Sequence, residues 1–494
     1  MRGRIIILFL VLLIAVSLSA QDFGFGFGFD DEETSGGGAG GGGLSVSVGG
    51  EISASMVGFF DDFSEGADSI RLGDIFAGSL YFTASSSIAE GVINLNLQPT
   101  YFIPLAGGLL IDNLSPPPSY VSSRFSLDLP SSPISIDEAY LRAYLGGFDI
   151  TAGLRKLTWG KADSFGPLDV INPLDSTQIY TEMADSSSLM GVKIARPLVH
   201  ISFRFGQFSK IEGVFVPNFE PYSIATEGRW MPAQMKDLPE MLALASTYGI
   251  TVPESIPYPD TTTIDYAQAG LRFTTTIGPV DLGLQYYYGR LPQPSVKVNL
   301  NYTTPPFPPS SVDVSYLYNP YHQIGLDYAQ VLFGFNVRAE FAANITKDLK
   351  GDDGSIYNPS LAWSFGFDRN LFLGINLNLQ INESIRLMHD QLGSTDMTTV
   401  MMKNNFDIEG GSRLTSTRLT ATLSRKFLRD ELEFRTAVVW GIEDKDCLIM
   451  PALVWTKDDL RFAFAGGVFA GSKEGQLGQY RDNNFLKISL TYTF

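Results

Sequence analysis

The sequence predicts an all-β protein, a transmembrane antiparallel β-barrel of about 18 strands, with 16 as the nearest alternative. Three observations predict it. Apolar and polar residues alternate with a period of two from Leu44 onward. Charge is sparse, yet after residue 20 no apolar run reaches the ~18 residues that a spanning helix needs. The last segment alternates through to an aromatic residue, Phe494.

The composition fits that class and excludes others. The chain has 494 residues, 53 acidic and 35 basic, for a formal net charge of −18. Charged residues make up 18%, below the ~25% of ordinary soluble domains, while mean hydropathy is only +0.07. Successive strand side chains point to opposite faces, so a barrel in lipid needs equal shares of apolar and polar residues. The acidic balance argues against nucleic acid, which calls for a basic face. A single cysteine, Cys447, and three scattered histidines, His200, His322 and His389, offer neither a disulfide framework nor a metal cluster. No cofactor is expected, and no catalytic motif nominates an enzyme.

In chain order, residues 1–20 read as a signal peptide. Arg2 and Arg4 precede the apolar run from Ile5 to Val16, and Ser17, Ser19 and Ala20 supply small residues before a cleavage site. Residues 21–43 read as a flexible periplasmic tail. It contains Phe23-Gly24-Phe25-Gly26-Phe27-Gly28-Phe29, an acidic cluster from Asp30 to Glu33, and a nearly pure glycine stretch. Residues 44–494 read as the barrel. Leu373, Ile375, Leu377, Leu379 and Ile381 alternate with Gly374, Asn376, Asn378 and Gln380, and similar patterns recur along the chain. Short turns are expected near 86–88, 146–147, 196–197, 278–279, 331–332, 368–370, 429–430 and 457–459. Longer loops are expected near 60–72, 104–132, 159–187, 218–264, 291–320, 346–359, 389–411, 442–447 and 471–483. Short and long connections alternate without a break, as in a barrel whose termini share one side. The 218–264 loop contains an amphipathic helix pattern around Met235, Leu238 and Leu242, and the proline-rich 291–320 loop reads as extended.

The most distinctive stretch is a hairpin turning at Gly146-Gly147. Alternation there puts Leu141 and Leu145 on the lipid side, and Glu138, Tyr140, Arg142 and Tyr144 on the lumen side. After it come Gly153 to Gly160, ending in Trp159-Gly160, and the run Asp169-Val170-Ile171-Asn172-Pro173-Leu174-Asp175. With Glu138-Ala139-Tyr140-Leu141, these segments resemble a family of bacterial outer-membrane porin-like proteins, including alginate-export-type barrels and related porins of unassigned substrate. Where such families have Gly-Arg-Gln, this chain has Leu154-Arg155-Lys156. The resemblance implies a barrel in the bacterial outer membrane. The final strand, with Tyr492 and Phe494 on one face, resembles the signal read by the barrel-assembly machinery.

The loop after Trp159 is expected to fold into the barrel. Lys161, Asp163, Asp169, Asn172 and Asp175 on it either contact solutes or simply fold turns. Glu138, Arg142, Arg155, Arg204, Arg338 and Glu340 are expected in the lumen, because an arginine facing mid-membrane lipid costs ~2–4 kcal/mol. There they either create a transverse field or pair with one another. The function expected is passive diffusion of small hydrophilic solutes through a loop-constricted aqueous lumen. The alternatives are transport of hydrophobic solutes, gated by the helix near Met235, and a closed structural or adhesin barrel. Outer-membrane lipid, the assembly machinery and small solutes are the expected partners. Monomer and homo-oligomer both stay open, since lipid-facing and subunit-facing strands look alike in one sequence.

Overall fold

A computed structural model describes residues 44–60, 77–97, 126–129, 132–177, 179–186, 190–225, 228–233, 242–253, 256, 258–303, 309–389 and 413–494. The expected signal peptide and Phe-Gly tail lie outside the described residues, as do Met235 and Leu238.

Among the described residues, eighteen antiparallel strands close into a ring, and a short extra strand (Ser126–Leu129) pairs with the start of the Ser132–Leu145 strand in the same sheet. The first half of the ring comprises β1 (Ser45–Phe59), β2 (Ala77–Ser85), β3 (Ala89–Leu97), β4 (Ser132–Leu145), β5 (Phe148–Arg155), β6 (Arg196–Phe205), β7 (Ser209–Val216), β8 (Gln268–Ile277) and β9 (Val280–Arg290). The second half comprises β10 (Pro320–Leu332), β11 (Phe335–Thr346), β12 (Ser360–Asn370), β13 (Ile375–Arg386), β14 (Thr415–Phe427), β15 (Leu432–Gly441), β16 (Asp446–Lys457), β17 (Leu460–Gly471) and β18 (Phe485–Thr493). Each strand pairs with its sequence neighbour, and β18 closes the ring on β1, with Phe485 opposite Phe59 and Thr493 opposite Glu51. Gly50 and Phe494 exchange both backbone hydrogen bonds at 2.9 Å, completing the seam.

The two faces of this sheet are inverted relative to a soluble protein. Apolar side chains such as Leu141 (71% exposed), Ile201, Leu271, Leu326, Phe365 and Phe464 stand on the outside. Arg142, His200, Glu212, Arg272, Gln285, Gln323, Glu340 and Gln380, of opposite parity, are buried inside. An apolar exterior around a polar interior is stable only where the outer solvent is lipid. At the short-turn end the outer face carries stacked rings, with Phe148 and Phe203 centred 4.4 Å apart and Phe205 and Phe273 6.1 Å apart. Such rings form the aromatic girdle of a membrane barrel. The fold is therefore a transmembrane barrel of the outer-membrane type.

Eight short turns alternate with nine longer connections, and five of the eight turns fall where the sequence puts them. Gly146 takes φ +67°, the left-handed conformation that a two-residue hairpin turn needs. Three turns differ. Arg196 and Pro197 are not a turn but open β6, where proline's missing N–H is tolerated, and Pro197 lies opposite Leu154. The chain reverses instead at residues 206–208, with Gly206 at φ +64°. The turns expected at 331–332 and 368–370 sit slightly later, at 333–334 and 371–374. The 291–320 connection is also not simply extended. Val296, Val298 and Leu300 against Val312, Val314 and Tyr316 build an external hairpin, Ser295–Asn301 with Ser311–Leu317. Residues 242–247 are helical, and Leu242 packs on this hairpin.

Candidate functional site

Residues 156–195 leave β5, enter the barrel and return to β6. The base of this lumen loop is stitched shut by Asn172. Its amide donates to the carbonyls of Arg155 (3.1 Å) and Ile194 (2.8 Å), and its Oδ1 accepts from Leu157 N–H (2.7 Å). Asp175 accepts from the hydroxyl and N–H of Thr177, folding a turn, and its own N–H donates to Val192 O. Leu157, Trp159 and Ile171 pack with Leu198, Val214, Val216, Tyr287 and Tyr321 of the wall. The Asp169–Asp175 run thus folds the loop.

The first arm of the loop is held by the wall of β9 to β13. The Glu340 carboxylate accepts the N–H groups of Lys161, Ala162 (2.7 Å) and Leu168 (3.3 Å). Gln380 Oε1 accepts from Asp163 N–H (2.9 Å) and Ser164 N–H (3.2 Å). The side-chain amides of Gln285 and Gln323 donate to Leu168 O and Pro167 O, each at 3.0 Å. Asp163 pairs with Arg338, which also holds Asp368, and accepts from Asn378 Nδ2 at 2.8 Å. Gly160, at φ +103°, lies against Glu340; an added Cβ would come within 2.4 Å of its Oε1. A side chain there would push the carboxylate off the loop.

The second arm, including a short helix (Ile179–Met183), is held by β15, β17 and β18. Arg435 donates to Ser186 O (3.0 Å), Arg461 to Asp185 O, and Lys487 Nζ to Thr181 O (3.0 Å). The Asp185 carboxylate pairs with Lys487 Nζ (3.0 Å) and accepts from Ser489 Oγ (2.6 Å). The first wall therefore grips the loop with both carboxylate or amide acceptors and amide donors, while the second grips carbonyls with cations. Beneath this arm the inner wall is apolar, with Ala184 packed in the cluster of Met450, Ala452, Val454, Ala463 and Ala465. At this patch the inward-facing side chains are apolar rather than polar.

Most of the remaining predicted charges also have polar partners. Glu138 accepts from Lys156 N–H (2.8 Å) and Asn94 (3.2 Å). Arg142 meets Glu90 at 3.4 Å and Thr151. Arg155 donates to Thr151 and lies 5.1 Å from the Tyr140 ring centroid. Arg204 pairs with Asp149 at 2.9 Å beside the 206–208 turn. Asp169 meets Lys193 at 2.6 Å; burial pushes its carboxyl above the usual range, against the pull of that lysine. Desolvation likewise raises Asp163, opposed by Arg338 and Asn378. Arg142, Arg204, Arg338 and Asp169 thus each sit beside an opposite charge. Sequence reasoning missed Gln285, Gln323, Gln380, Arg435, Arg461 and Lys487. Their signal was parity, since each is a long polar side chain at an inward position of an alternating strand.

No family model matches the chain, and no curated protein matches it. Solved structures similar to it include OccK9 (OpdG) of Pseudomonas aeruginosa, at 10% identity and TM-score 0.47, covering 91% of this chain and 98% of that one. The outer membrane protein opdK of P. aeruginosa follows at 7% identity and TM-score 0.45, covering 91% and 99%. A BenF-like porin from Pseudomonas fluorescens Pf-5 has 7% identity and TM-score 0.46, covering 91% and 98%. None of the three is named for alginate export.

Proposed function

We propose that the protein is a porin-like channel of the bacterial outer membrane, through which small hydrophilic solutes diffuse passively. The observation that carries this reading is a barrel with a polar inner wall whose 40-residue loop (156–195) is gripped inside it by side chains of distant strands. A loop fixed within a lumen narrows it and sets which charges a solute meets in low-dielectric surroundings. Of the predicted residues, Arg155, Lys161 and Asp163 are the ones proposed to face solute, because they lie at the root or on the first arm of the loop and are not buried. Glu340, Asn172 and Asp175 shape the aperture indirectly by folding the loop.

The test is conductance of the folded protein in planar bilayers, with liposome swelling in sugars. Stable openings and sugar-dependent swelling are expected; silence from protein of verified fold would sink the reading in favour of a closed barrel. One observation favours a second reading, transport of apolar solutes: the inner patch from Met450 to Ala465 under the second arm. Fatty-acid uptake without sugar permeation would select it. Leu242, in the described part of that helix pattern, packs on the external hairpin.

A further inference from the structure

The short-turn end of the barrel carries an unusual rim. Ile88, Phe208, Phe333, Phe372, Leu373 and Leu428 stand at the tips of five different turns, each at least 64% exposed, with Phe333 reaching 95%. Three of them hold left-handed backbone, Phe333 at φ 53°, Leu373 at φ 63° and Leu428 at φ 52°. Glycine or asparagine is cheaper at such positions, and a polar residue is better hydrated. These side chains lie past the strand ends, beyond the stacked girdle of Phe148, Phe203, Phe205 and Phe273 that meets lipid.

The described part of the chain starts at this same rim. Ser45, the first residue of β1, lies opposite Ser85, immediately before the 86–88 turn that carries Ile88. Upstream of it are four phenylalanines in seven residues, Phe23, Phe25, Phe27 and Phe29, each separated by a glycine. In an extended chain, residues two apart share a face, so all four rings line one side, with no side chain on the other. The fourteen residues between Phe29 and Leu44 allow a reach of up to ~50 Å when extended. Tethering also gives a covalently linked segment an effective concentration in the millimolar range.

We propose that the Phe23–Phe29 segment docks in cis on the apolar turn rim, its rings covering Phe333 and the tips beside it. The full chain carrying Phe333→p-benzoylphenylalanine, and separately the same substitution at Phe372, tests this in reconstituted membranes. After irradiation and digestion, mass spectrometry identifies what the probe has captured. Mixing isotope-labelled and unlabelled chains separates capture within one chain from capture between copies. The expected product joins the probe to the peptide containing Phe23–Phe29 of the same chain. Serine at Phe23, Phe25, Phe27 and Phe29 should lower that product at least fivefold, with heat-modifiable migration of the barrel unchanged. Adducts confined to lipid or to a neighbouring copy overturn the proposal, as does purified membrane protein that lacks residues 23–29.

Discussion

A carboxylate whose oxygens accept three backbone N–H groups has little acceptor capacity left for a passing solute, and Glu340 is in that position. Glu340→Ala removes the acceptor from Lys161, Ala162 and Leu168, at about 1–3 kcal/mol for each group left dry. Lumen water offsets part of that loss by hydrating the freed loop. The expected result in planar bilayers is a larger and noisier single-channel current, with Glu340→Gln in between because its amide keeps one acceptor oxygen. Unchanged currents in both variants would show that Glu340 does not hold the loop. Asn172 makes a different prediction, since it ties the loop's entry to its exit. Asn172→Ala should cost about 1–3 kcal/mol through the groups it leaves unsatisfied. Denaturant unfolding in detergent, followed by electrophoretic mobility, measures that loss.

At the scale of elements, the lumen loop has two separate attachments. Lys487→Met removes the ammonium from Thr181 O and Asp185, freeing the second arm while the Glu340 grip remains. Trypsin should then cut at Lys193 several-fold faster than in the parent, with cutting at Lys161 unchanged. Combining Lys487→Met with Glu340→Ala should give nearly additive effects on stability, within ~0.5 kcal/mol, because the two grips share no partner. Strong non-additivity would mean that the arms move as one body. The strands themselves were legible in the sequence, because alternation is a local property and the rule for facing lipid or lumen is parity. Turn positions were less legible. Phe333 and the 371–373 stretch are apolar turn residues that prolong an apparent strand, and Pro197 imitates a turn while opening one. The inward charges were legible as inward, but not as partners. Asp163 and Arg338, or Asp185 and Lys487, meet only once the sheet has closed, and no local pattern encodes that closure.

For the molecule as a whole, the seam between β18 and β1 decides whether there is a barrel at all. Phe494 contributes both backbone bonds to Gly50, and its ring would collide with any Cβ at that glycine. Deleting Phe494 should reduce the heat-modifiable, folded fraction in cells by several-fold, and Gly50→Val should do so too by blocking the seam. Normal folded yield from both would show that closure does not depend on this pair. The lumen loop also has a mechanical role at this scale. Its root lies between β5 and β6, its first grip centres on β11 and its second on β17, so the three points sit about six strands apart around the ring of 18. A hoop tied at two opposite points can still flatten along the free diameter, whereas one braced at three even points resists ovalling in every direction. The loop therefore works as a tripod as well as a restriction, and cutting any one leg should let the cross-section breathe along a single axis.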